Sequence, residues 1–250
     1  MLIAHISDTH IALDTPDADR RISDLERTIT DINSLDILPD VIVHTGDVAH
    51  NGRADEYAVV ADLLGRARPP VYVMVGNKDN RTTLREAFSS ATDLPADLPF
   101  VTYAVDDFPV RLIMLDTLDP QSNKGDFCLE RASLLAEMLN TKSDKPIAVF
   151  AHHPPFEILV GPEPWNFTTD DAMSRLCKGL QASTQIAGIF CGHVHRATTG
   201  LIGTVPATVI PPTATPLRWG AYPEAMQARP IYYLHQYEPA FGFSTTTQIV

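Results

Sequence analysis

A repeated order of short apolar segments and amphipathic segments constrains the fold of this 250-residue sequence more than any other feature. Residues 2–7 form an apolar segment, and apolar side chains then recur at helical spacing between Ile22 and Leu35. Residues 41–45 are rich in β-branched side chains and precede a helical pattern over residues 54–66. Strands that alternate with helices are typical of a layered sheet. We therefore predict an α/β fold.

The same order continues along the chain. We predict further strands at residues 71–75, 101–105, 110–116, 147–151 and 186–191, and further helices at residues 81–90, 129–140 and 170–181. The link between the strands at 101–105 and 110–116 is short and turn-like, which favours an antiparallel pair.

Two later segments carry less regular patterns. Residues 154–169 form a Pro-rich loop that is long enough to act as a lid. Residues 197–250 alternate apolar and Thr-rich segments, so we expect strands and loops that complete a second sheet. We expect one domain over residues 1–250.

The charge and the cysteines limit the partners and the compartment. The formal net charge is -12, which repels polyanions and argues against a long nucleic acid as partner, whereas a small anionic substrate held by metal stays compatible. The three cysteines offer neither a disulfide framework nor a CxxC site. No basic leader precedes the first strand, and no apolar run approaches about eighteen residues. We expect a cytoplasmic protein without a membrane partner.

Side chains that bind metals follow five of the predicted strands. They are Asp8 with His10, Asp47, Asn77, His152, and His193 with His195. The carboxyl ends of strands in an open α/β sheet face one crevice, so loops that are distant in sequence can deliver these groups to one site. Carboxylate, amide oxygen and imidazole are suitable ligands for Zn, Mn or Fe.

These residues belong to short motifs, and the order of the motifs is informative. They are Asp8-Thr9-His10, Gly46-Asp47, Gly76-Asn77, His152-His153-Pro154-Pro155 and Gly192-His193-Val194-His195. One Gly-Asp pair or one His alone indicates a turn or a packed side chain, but that interpretation does not explain the whole series. The series resembles the calcineurin-like metallophosphoesterase superfamily up to His195, and within it the bacterial cyclic nucleotide and glycerophosphodiester phosphodiesterases.

The resemblance implies a fold, a cofactor and a role for each motif. The fold is a two-sheet β-sandwich flanked by α-helices, and the cofactor is a pair of divalent or mixed-valence Fe, Mn or Zn ions. The first metal would be held by Asp8, His10 and His195, the second by Asn77, His152 and His193, and Asp47 would bridge them. Two cations about 3.5–4 Å apart can share a hydroxide that attacks phosphorus. The catalytic residues would be Asp47, Asn77 and Lys78.

Lys78 departs from the pattern of the family. This chain reads Gly76-Asn77-Lys78-Asp79, and many members carry a His at the position of Lys78. That His is thought to assist the leaving group. A lysine can stabilise negative charge on the phosphate, or it can be a solvated loop residue. Asp79 either orients Lys78 through an ion pair or is a turn residue.

Other polar and aromatic residues have two interpretations each. Asn77, His50 and His153 are candidates for substrate contact, although His50 could belong to a polar loop that caps a helix and His153 could pack under the Pro154-Pro155 turn. Trp165 could stack on a base or anchor its loop. His5, His44 and His235 are expected to be packed imidazoles.

The function predicted is hydrolysis of a small phosphodiester of the 3',5'-cyclic nucleotide or glycerophosphodiester type. A phosphomonoesterase or pyrophosphatase could use the same dinuclear site. A non-catalytic metal-binding scaffold is the alternative from another class, which the lysine at position 78 keeps open. Exposed strand edges in the C-terminal part could also pair two chains in a homo-oligomer.

Overall fold

The computed structural model describes residues 1–89, 94–95, 98–159 and 165–250. Within these ranges the strands are β1 (Leu2–Ile6), β2 (Val41–His44), β3 (Val71–Val73), β4 (Tyr103–Val105), β5 (Arg111–Leu115), β6 (Ile147–Ala151), β7 (Ile186–Cys191), β8 (Thr198–Ile202), β9 (Val205–Val209), β10 (Ile231–Glu238) and β11 (Gly242–Ile249). The helices are α1 (Ala18–Ser34), α2 (Ala54–Leu64), α3 (Arg81–Phe88), α4 (Leu129–Leu139), α5 (Asp170–Gln181) and α6 (Glu224–Gln227), with a 3-10 turn at Thr215–Leu217.

The strands form two mixed sheets. The first has the order β11-β10-β1-β2-β3, and the second has the order β4-β5-β6-β7-β9-β8. Strands β1, β2 and β3 run parallel to one another, as do β5, β6 and β7. The short link predicted to join an antiparallel pair does so, since β4 and β5 are antiparallel. The predicted two-sheet α/β fold flanked by helices is confirmed.

Side-chain alternation in the second sheet explains the layers. Leu112 and Met114 of β5 belong to a core that also contains the side chains of β1, β2 and α1. Ile113 and Leu115 point the other way and pack with residues of α4 and α5. Successive residues of a strand point to opposite faces, so one apolar strand supplies both cores. The first core lies between the two sheets, and the second lies between a sheet and its helices.

The imidazoles of His5 and His235 lie in the core between the sheets, as expected for packed histidines. The ring of His5 meets the ring of Phe150 edge-on at 6.1 Å, and the ring of His235 lies 4.1 Å from that of Phe190. Both imidazoles are fully buried, and His5 Nδ1 lies 3.0 Å from His235 Nε2. Burial lowers the pKa of His235 to about 3, so this imidazole is neutral.

Residues 197–250 do not complete a single sheet. Strands β8 and β9 extend the second sheet beside β7, but β10 pairs antiparallel with β1 and brings β11 into the first sheet. Our expectation that this segment completes the second sheet therefore holds for β8 and β9 and not for β10 and β11. The pairing of β10 depends on the free edge of β1, which lies more than two hundred residues earlier and has no signal in the local sequence.

Two other predictions meet the limits of the described structure. The helix predicted at residues 81–90 ends at Phe88, and residue 90 lies outside the described residues. The loop predicted as a lid at residues 154–169 falls partly outside them, because residues 160–164 are not described. None of the helices in the described ranges is both long enough and apolar enough to cross a bilayer.

Candidate metal centre

The predicted ligands meet where the carboxyl ends of the two sheets come together. In the first sheet, Asp8 and His10 follow β1, Asp47 follows β2 and Asn77 follows β3. In the second sheet, the ligands that follow β6 and β7 are His152, His193 and His195. Parallel strands end at the same edge of a sheet, so these loops converge. The predicted ligand side chains form two adjoining groups.

The first group contains two carboxylates and two imidazoles, namely Asp8, His10, Asp47 and His195, whose ligand atoms all lie within 4.8 Å of one another. His10 Nε2 is 3.1 Å from His195 Nε2 and 3.3 Å from Asp47 Oδ2. His195 Nε2 is 3.4 Å from Asp8 Oδ1. The main-chain N–H of His193 donates to Asp8 Oδ2 over 3.0 Å, which orients that carboxylate.

The second group surrounds the side-chain oxygen of Asn77. Asn77 Oδ1 lies 3.1 Å from His152 Nε2 and 2.8 Å from His193 Nδ1. His153 joins His152 and His193 as a third imidazole within 4.8 Å. However, His153 Nδ1 lies 2.7 Å from the hydroxyl of Thr117 and its Nε2 lies 3.3 Å from the carbonyl oxygen of Asn123. Both nitrogens of His153 thus have protein partners.

Asp47 lies between the two groups, with one carboxylate oxygen toward each. Its Oδ2 faces His10, whereas its Oδ1 lies 3.5 Å from His152 Nε2 and accepts the main-chain N–H of Lys78 over 2.7 Å. The side chain is buried. A carboxylate in this position can contribute an oxygen to each of two cations.

Main-chain carbonyl groups select the protonated nitrogen of three imidazoles. His152 Nδ1 lies 2.8 Å from the carbonyl oxygen of Thr45, and His195 Nδ1 lies 3.0 Å from that of Leu217. His193 Nε2 lies 2.7 Å from the carbonyl oxygen of Trp165. A carbonyl group only accepts, so each of these nitrogens carries a proton and donates it. When such a ring is neutral, its other nitrogen presents a lone pair to the centre, as in metal sites.

These tautomers test whether the residues fit metal ions. In their neutral forms, His152 Nε2 and His193 Nδ1 present lone pairs to Asn77 Oδ1, which is also an acceptor. His195 Nε2 likewise faces a carboxylate. Acceptors that face acceptors in a buried site are stabilised by cations between them. The donor set of imidazole, carboxylate and amide oxygen therefore fits two metal ions.

The electrostatics of the centre agree with that fit. Burial acts to raise the pKa of Asp8 and Asp47, but the neighbouring histidines outweigh it and hold both pKa values well below the usual range. Burial acts to lower the pKa of His152, yet the charges of Asp47 and Asp8 raise it to about 9. Carboxylates that are both buried and ionised require positive charge nearby. A metal ion would replace the proton on His152 in that role.

The backbone of the centre is unusual for residues other than glycine. Positive φ angles between 43° and 76° occur at Asp8, His10, Asp47, His193 and His195. Left-handed backbone is uncommon for such residues and costs free energy, and it concentrates at functional sites. Five of the seven predicted ligands are thus held in a strained conformation.

Gly76 lets two of the loops approach closely. A Cβ atom on Gly76 would lie 2.3 Å from both the main-chain nitrogen and Oδ1 of Asp47. Real Cβ atoms do not approach other heavy atoms so closely, so a side chain at this position would displace the carboxylate.

Asp79 has a role that neither sequence interpretation included. Its buried carboxylate accepts hydrogen bonds from the main-chain N–H groups of Val48, Ala49 and Gly76 over 3.1, 3.0 and 2.8 Å. The hydroxyl of Tyr57 donates to the same carboxylate over 2.9 Å. Burial, followed by the charge of Asp47, raises the pKa of Asp79 to about 7. Asp79 therefore connects the loop after β2 to the loop after β3.

The remaining candidates lie around the centre. Lys78 is half-buried, and its Nζ donates to Asn123 Oδ1 over 3.0 Å. His50 Nδ1 lies 3.5 Å from His10 Nδ1, so His50 is beside the first group. Asn123, which the sequence did not indicate, also contacts Asn77 Nδ2 at 3.5 Å. Asn123 does not directly follow a predicted strand, so the pattern that marks the other residues of the centre does not mark it.

Comparisons with known proteins identify the family and the fold of the chain. The family model described as calcineurin-like phosphoesterase matches residues 1–197. A glycerophosphodiester phosphodiesterase of Enterobacter lignolyticus is 32% identical over 84% of this chain and 78% of that protein. A cAMP/cGMP dual specificity phosphodiesterase of Mycobacterium tuberculosis is 27% identical over 83% of this chain and 66% of that protein.

A solved structure extends the likeness to the whole fold. The crystal structure of a dimetal phosphatase from Danio rerio superposes with a TM-score of 0.70 and 14% identity, over 99% of this chain and 98% of that chain. This likeness concerns the fold, and it includes the C-terminal strands that the family model does not reach.

Proposed function

The chain belongs to the calcineurin-like phosphoesterase family, and from this membership we propose that it hydrolyses small phosphodiesters of the cyclic nucleotide or glycerophosphodiester type in a metal-dependent reaction. The observation that carries the proposal is the position of Asp47, whose two carboxylate oxygens face separate groups of imidazoles. A single-metal or purely structural site has no need of a carboxylate shared in this way.

The residues of the centre would hold two ions. Asp8, His10 and His195 would bind one, Asn77, His152 and His193 would bind the other, and Asp47 would contact both. When bound, such a pair supplies an activated water and neutralises negative charge on the phosphoryl group. Fe, Mn and Zn all suit these ligands, and the choice among them depends on availability and geometry.

The protein's own groups would orient the diester. Asn77 offers its Nδ2 on the side away from the imidazoles, where it lies 3.5 Å from Asn123 Oδ1, so it can donate to a phosphoryl oxygen. Lys78 is kept beside Asn77 by its bond to Asn123 and can stabilise charge on the departing oxygen as a cation. His50 borders the first group and His153 borders the second, and both are proposed to contact the substrate.

Two further features support a small substrate. The formal net charge of -12 opposes the approach of a long nucleic acid. The diester names of the two curated relatives favour substrates with two ester bonds to phosphorus. We also propose a cytoplasmic location, because all three cysteines are free thiols. Self-association stays a prediction, which a measurement of mass in solution tests.

A matched substrate pair tests the proposal. Protein loaded with Mn(II) is expected to hydrolyse bis(p-nitrophenyl) phosphate faster than p-nitrophenyl phosphate. Asp47→Asn should lower both the metal content and the turnover, whereas Asp62→Asn on the exposed face of α2 should leave both unchanged. Elemental analysis and release of p-nitrophenolate are the two measurements.

Each alternative gives a different result. Hydrolysis of the monoester alone would replace the proposal with a phosphomonoesterase or pyrophosphatase. Metal-loaded protein that hydrolyses neither ester would indicate a non-catalytic scaffold. Retention of both ions by Asp47→Asn would contradict the shared position of that carboxylate.

A further inference from the structure

The only two tryptophans of the sequence lie side by side at the edge of the metal centre. The rings of Trp165 and Trp219 are 6.2 Å apart between centroids, with 33° between their planes. Trp165 is 41% exposed and Trp219 is 47% exposed. They come from separate segments, one before α5 and one after the 3-10 turn, so the tertiary structure alone brings them together.

Both tryptophans form hydrogen bonds with proposed metal ligands. The carbonyl oxygen of Trp165 accepts from His193 Nε2 over 2.7 Å, and its indole ring stacks on the His193 ring at 5.8 Å with 27° between the planes. The main-chain N–H of Trp219 donates to the carbonyl oxygen of His195 over 2.9 Å. The rings of His193, Trp165 and Trp219 therefore form a row that leads from the metal centre to the surface, here called the tryptophan wall.

The exposure of this wall indicates a ligand. Large aromatic side chains gain free energy when they are covered, and two half-exposed indoles in contact leave much apolar surface in water. A flat ring that stacks on the wall would cover it while the phosphate of the same molecule reaches the metal centre. Stacking of a base on an aromatic side chain contributes roughly a five- to hundredfold gain in affinity.

We propose that the tryptophan wall binds the base of a nucleotide diester, so that substrates with a heteroaromatic base are preferred to glycerophosphodiesters. This inference rests on the proposed function, and it names the substrate class. A glycerol group has no ring to stack and would leave the wall exposed.

The angle between the indoles favours a base over a quaternary ammonium group. Aromatic cages for such cations surround them with ring faces. The two indole planes here differ by only 33° and their centroids are 6.2 Å apart, so the two ring faces are closer to parallel than to the walls of a cage. A flat ring can stack on such a face, whereas a round cation would contact only part of it.

Intrinsic fluorescence tests the binding step directly, because every tryptophan signal of the chain comes from the wall. Zinc-loaded protein is titrated with adenosine 5'-monophosphate and with ribose 5-phosphate, which differ only in the base. Excitation at the red edge of the tryptophan band avoids absorption by adenine. We expect the nucleotide to change the fluorescence and to bind at least about fivefold more tightly than the sugar phosphate.

Variants assign the effect to the side chain. The hydrogen bonds between Trp165 and His193 and between Trp219 and His195 use main-chain atoms of the tryptophans. Truncation of the Trp219 side chain therefore keeps its hydrogen bond to His195. Trp219→Ala, followed by calorimetry, should remove the preference for the nucleotide without changing zinc content, and Trp219→Phe should restore most of it. Phe241→Ala is the matched control, because Phe241 is an exposed aromatic residue in the turn between β10 and β11, at the opposite end of the first sheet.

A kinetic pair separates this inference from the proposed function. Thymidine 5'-p-nitrophenyl phosphate and methyl p-nitrophenyl phosphate share a leaving group, and only the first carries a base. The ratio of their kcat/KM values should fall at least about fivefold in Trp219→Ala and stay constant in Phe241→Ala. If wild type hydrolyses neither diester, the proposed function fails.

Three other results would overturn the inference while the proposed function stands. One is hydrolysis of both diesters with a ratio that is the same in wild type and Trp219→Ala. Another is equal binding of the nucleotide and the sugar phosphate. The third is that phosphocholine, and not the nucleotide, binds in a manner that depends on Trp219.

Discussion

The hydroxyl of Tyr57 donates a hydrogen bond to Oδ1 of Asp79 over 2.9 Å, and both side chains are buried. The same hydroxyl accepts the main-chain N–H of Asn80 over 2.8 Å. Because Asp79 also accepts three main-chain N–H groups from the loops after β2 and β3, helix α2 is connected through Tyr57 to the segments that carry Asp47 and Asn77. The position of the shared carboxylate thus depends on a residue that does not face the centre.

Asp79→Asn is expected to weaken metal binding about 10- to 100-fold. The amide would direct hydrogens at main-chain N–H groups that now donate to a carboxylate, so the two loops would separate. Tyr57→Phe removes one of the four bonds to the carboxylate and should have a smaller effect in the same direction. Titration with a competing chelator measures both. Unchanged affinity in Asp79→Asn would show that the loops hold their positions without it.

Gly76→Ala is expected to reduce the free energy of unfolding by about 1–3 kcal/mol, because the added methyl group would overlap the main chain and carboxylate of Asp47. The metal content should fall as well, since Asp47 cannot move without leaving one of its imidazole groups. Gly65→Ala provides the comparison, because Gly65 has ordinary right-handed backbone at the end of α2. Urea unfolding and elemental analysis are the measurements. A variant as stable and as metal-rich as wild type would contradict the close approach of the two loops.

Lys78→Met is expected to lower turnover in proportion to the basicity of the leaving group. Diesters with an alkoxide leaving group should lose roughly 100-fold, and p-nitrophenyl diesters should lose much less, because a stable anion needs little help to depart. Asn123→Ala should produce a weaker form of the same pattern, since Asn123 Oδ1 accepts from the Lys78 ammonium group. Metal content should not change in either variant. An equal loss for all leaving groups would mean that Lys78 only supports the loop.

The stability of the metal-free protein is expected to fall in acid, partly through His235. Burial lowers the pKa of this imidazole to about 3 in the folded protein, against about 6.5 in an unfolded chain. The unfolded chain therefore binds the proton first, so the contribution of neutral His235 is fully present above pH 6.5 and is lost as the pH falls below it. The loss should reach about 2 kcal/mol at pH 5.

Urea unfolding at pH 7 and pH 5 measures this effect. The difference in unfolding free energy between the two pH values should be smaller in His235→Gln by about that amount. His5 and His44 are also buried and neutral, and they should maintain part of the pH dependence in the variant. An identical difference in wild type and variant would indicate that the proton enters the folded core without cost.

The described structure confirms much of what the sequence predicts about the fold. Strands β6 and β7 and helix α5 begin and end at the predicted residues. Strand β3 ends two residues before its predicted end, because Met74 and Val75 remain buried and apolar after the strand pairing has stopped. Periodicity reports burial more faithfully than it reports hydrogen bonding, so it locates elements better than their ends.

The proposed ligand residues could be located in the sequence because each lies in a loop that follows an apolar strand. Asp8, Asp47 and His152 were indicated by type and position alone, and the structure brings them together. Trp219 and Asn123 were not indicated, because neither lies in a motif that directly follows one of the predicted strands. Their proximity to the centre comes from pairings made elsewhere in the chain, which leave no local pattern.

The sequence by itself determined which elements form and which of their ends carry carboxylates, amides and imidazoles, since periodicity and residue type are local properties. The tertiary structure alone decided the division of residues 197–250 between two sheets, the left-handed backbone at Asp8 and His193, and the contact between Trp165 and Trp219. Each of these depends on which distant surfaces are free to pair, and the free energy of such pairing is shared among residues far apart in the chain.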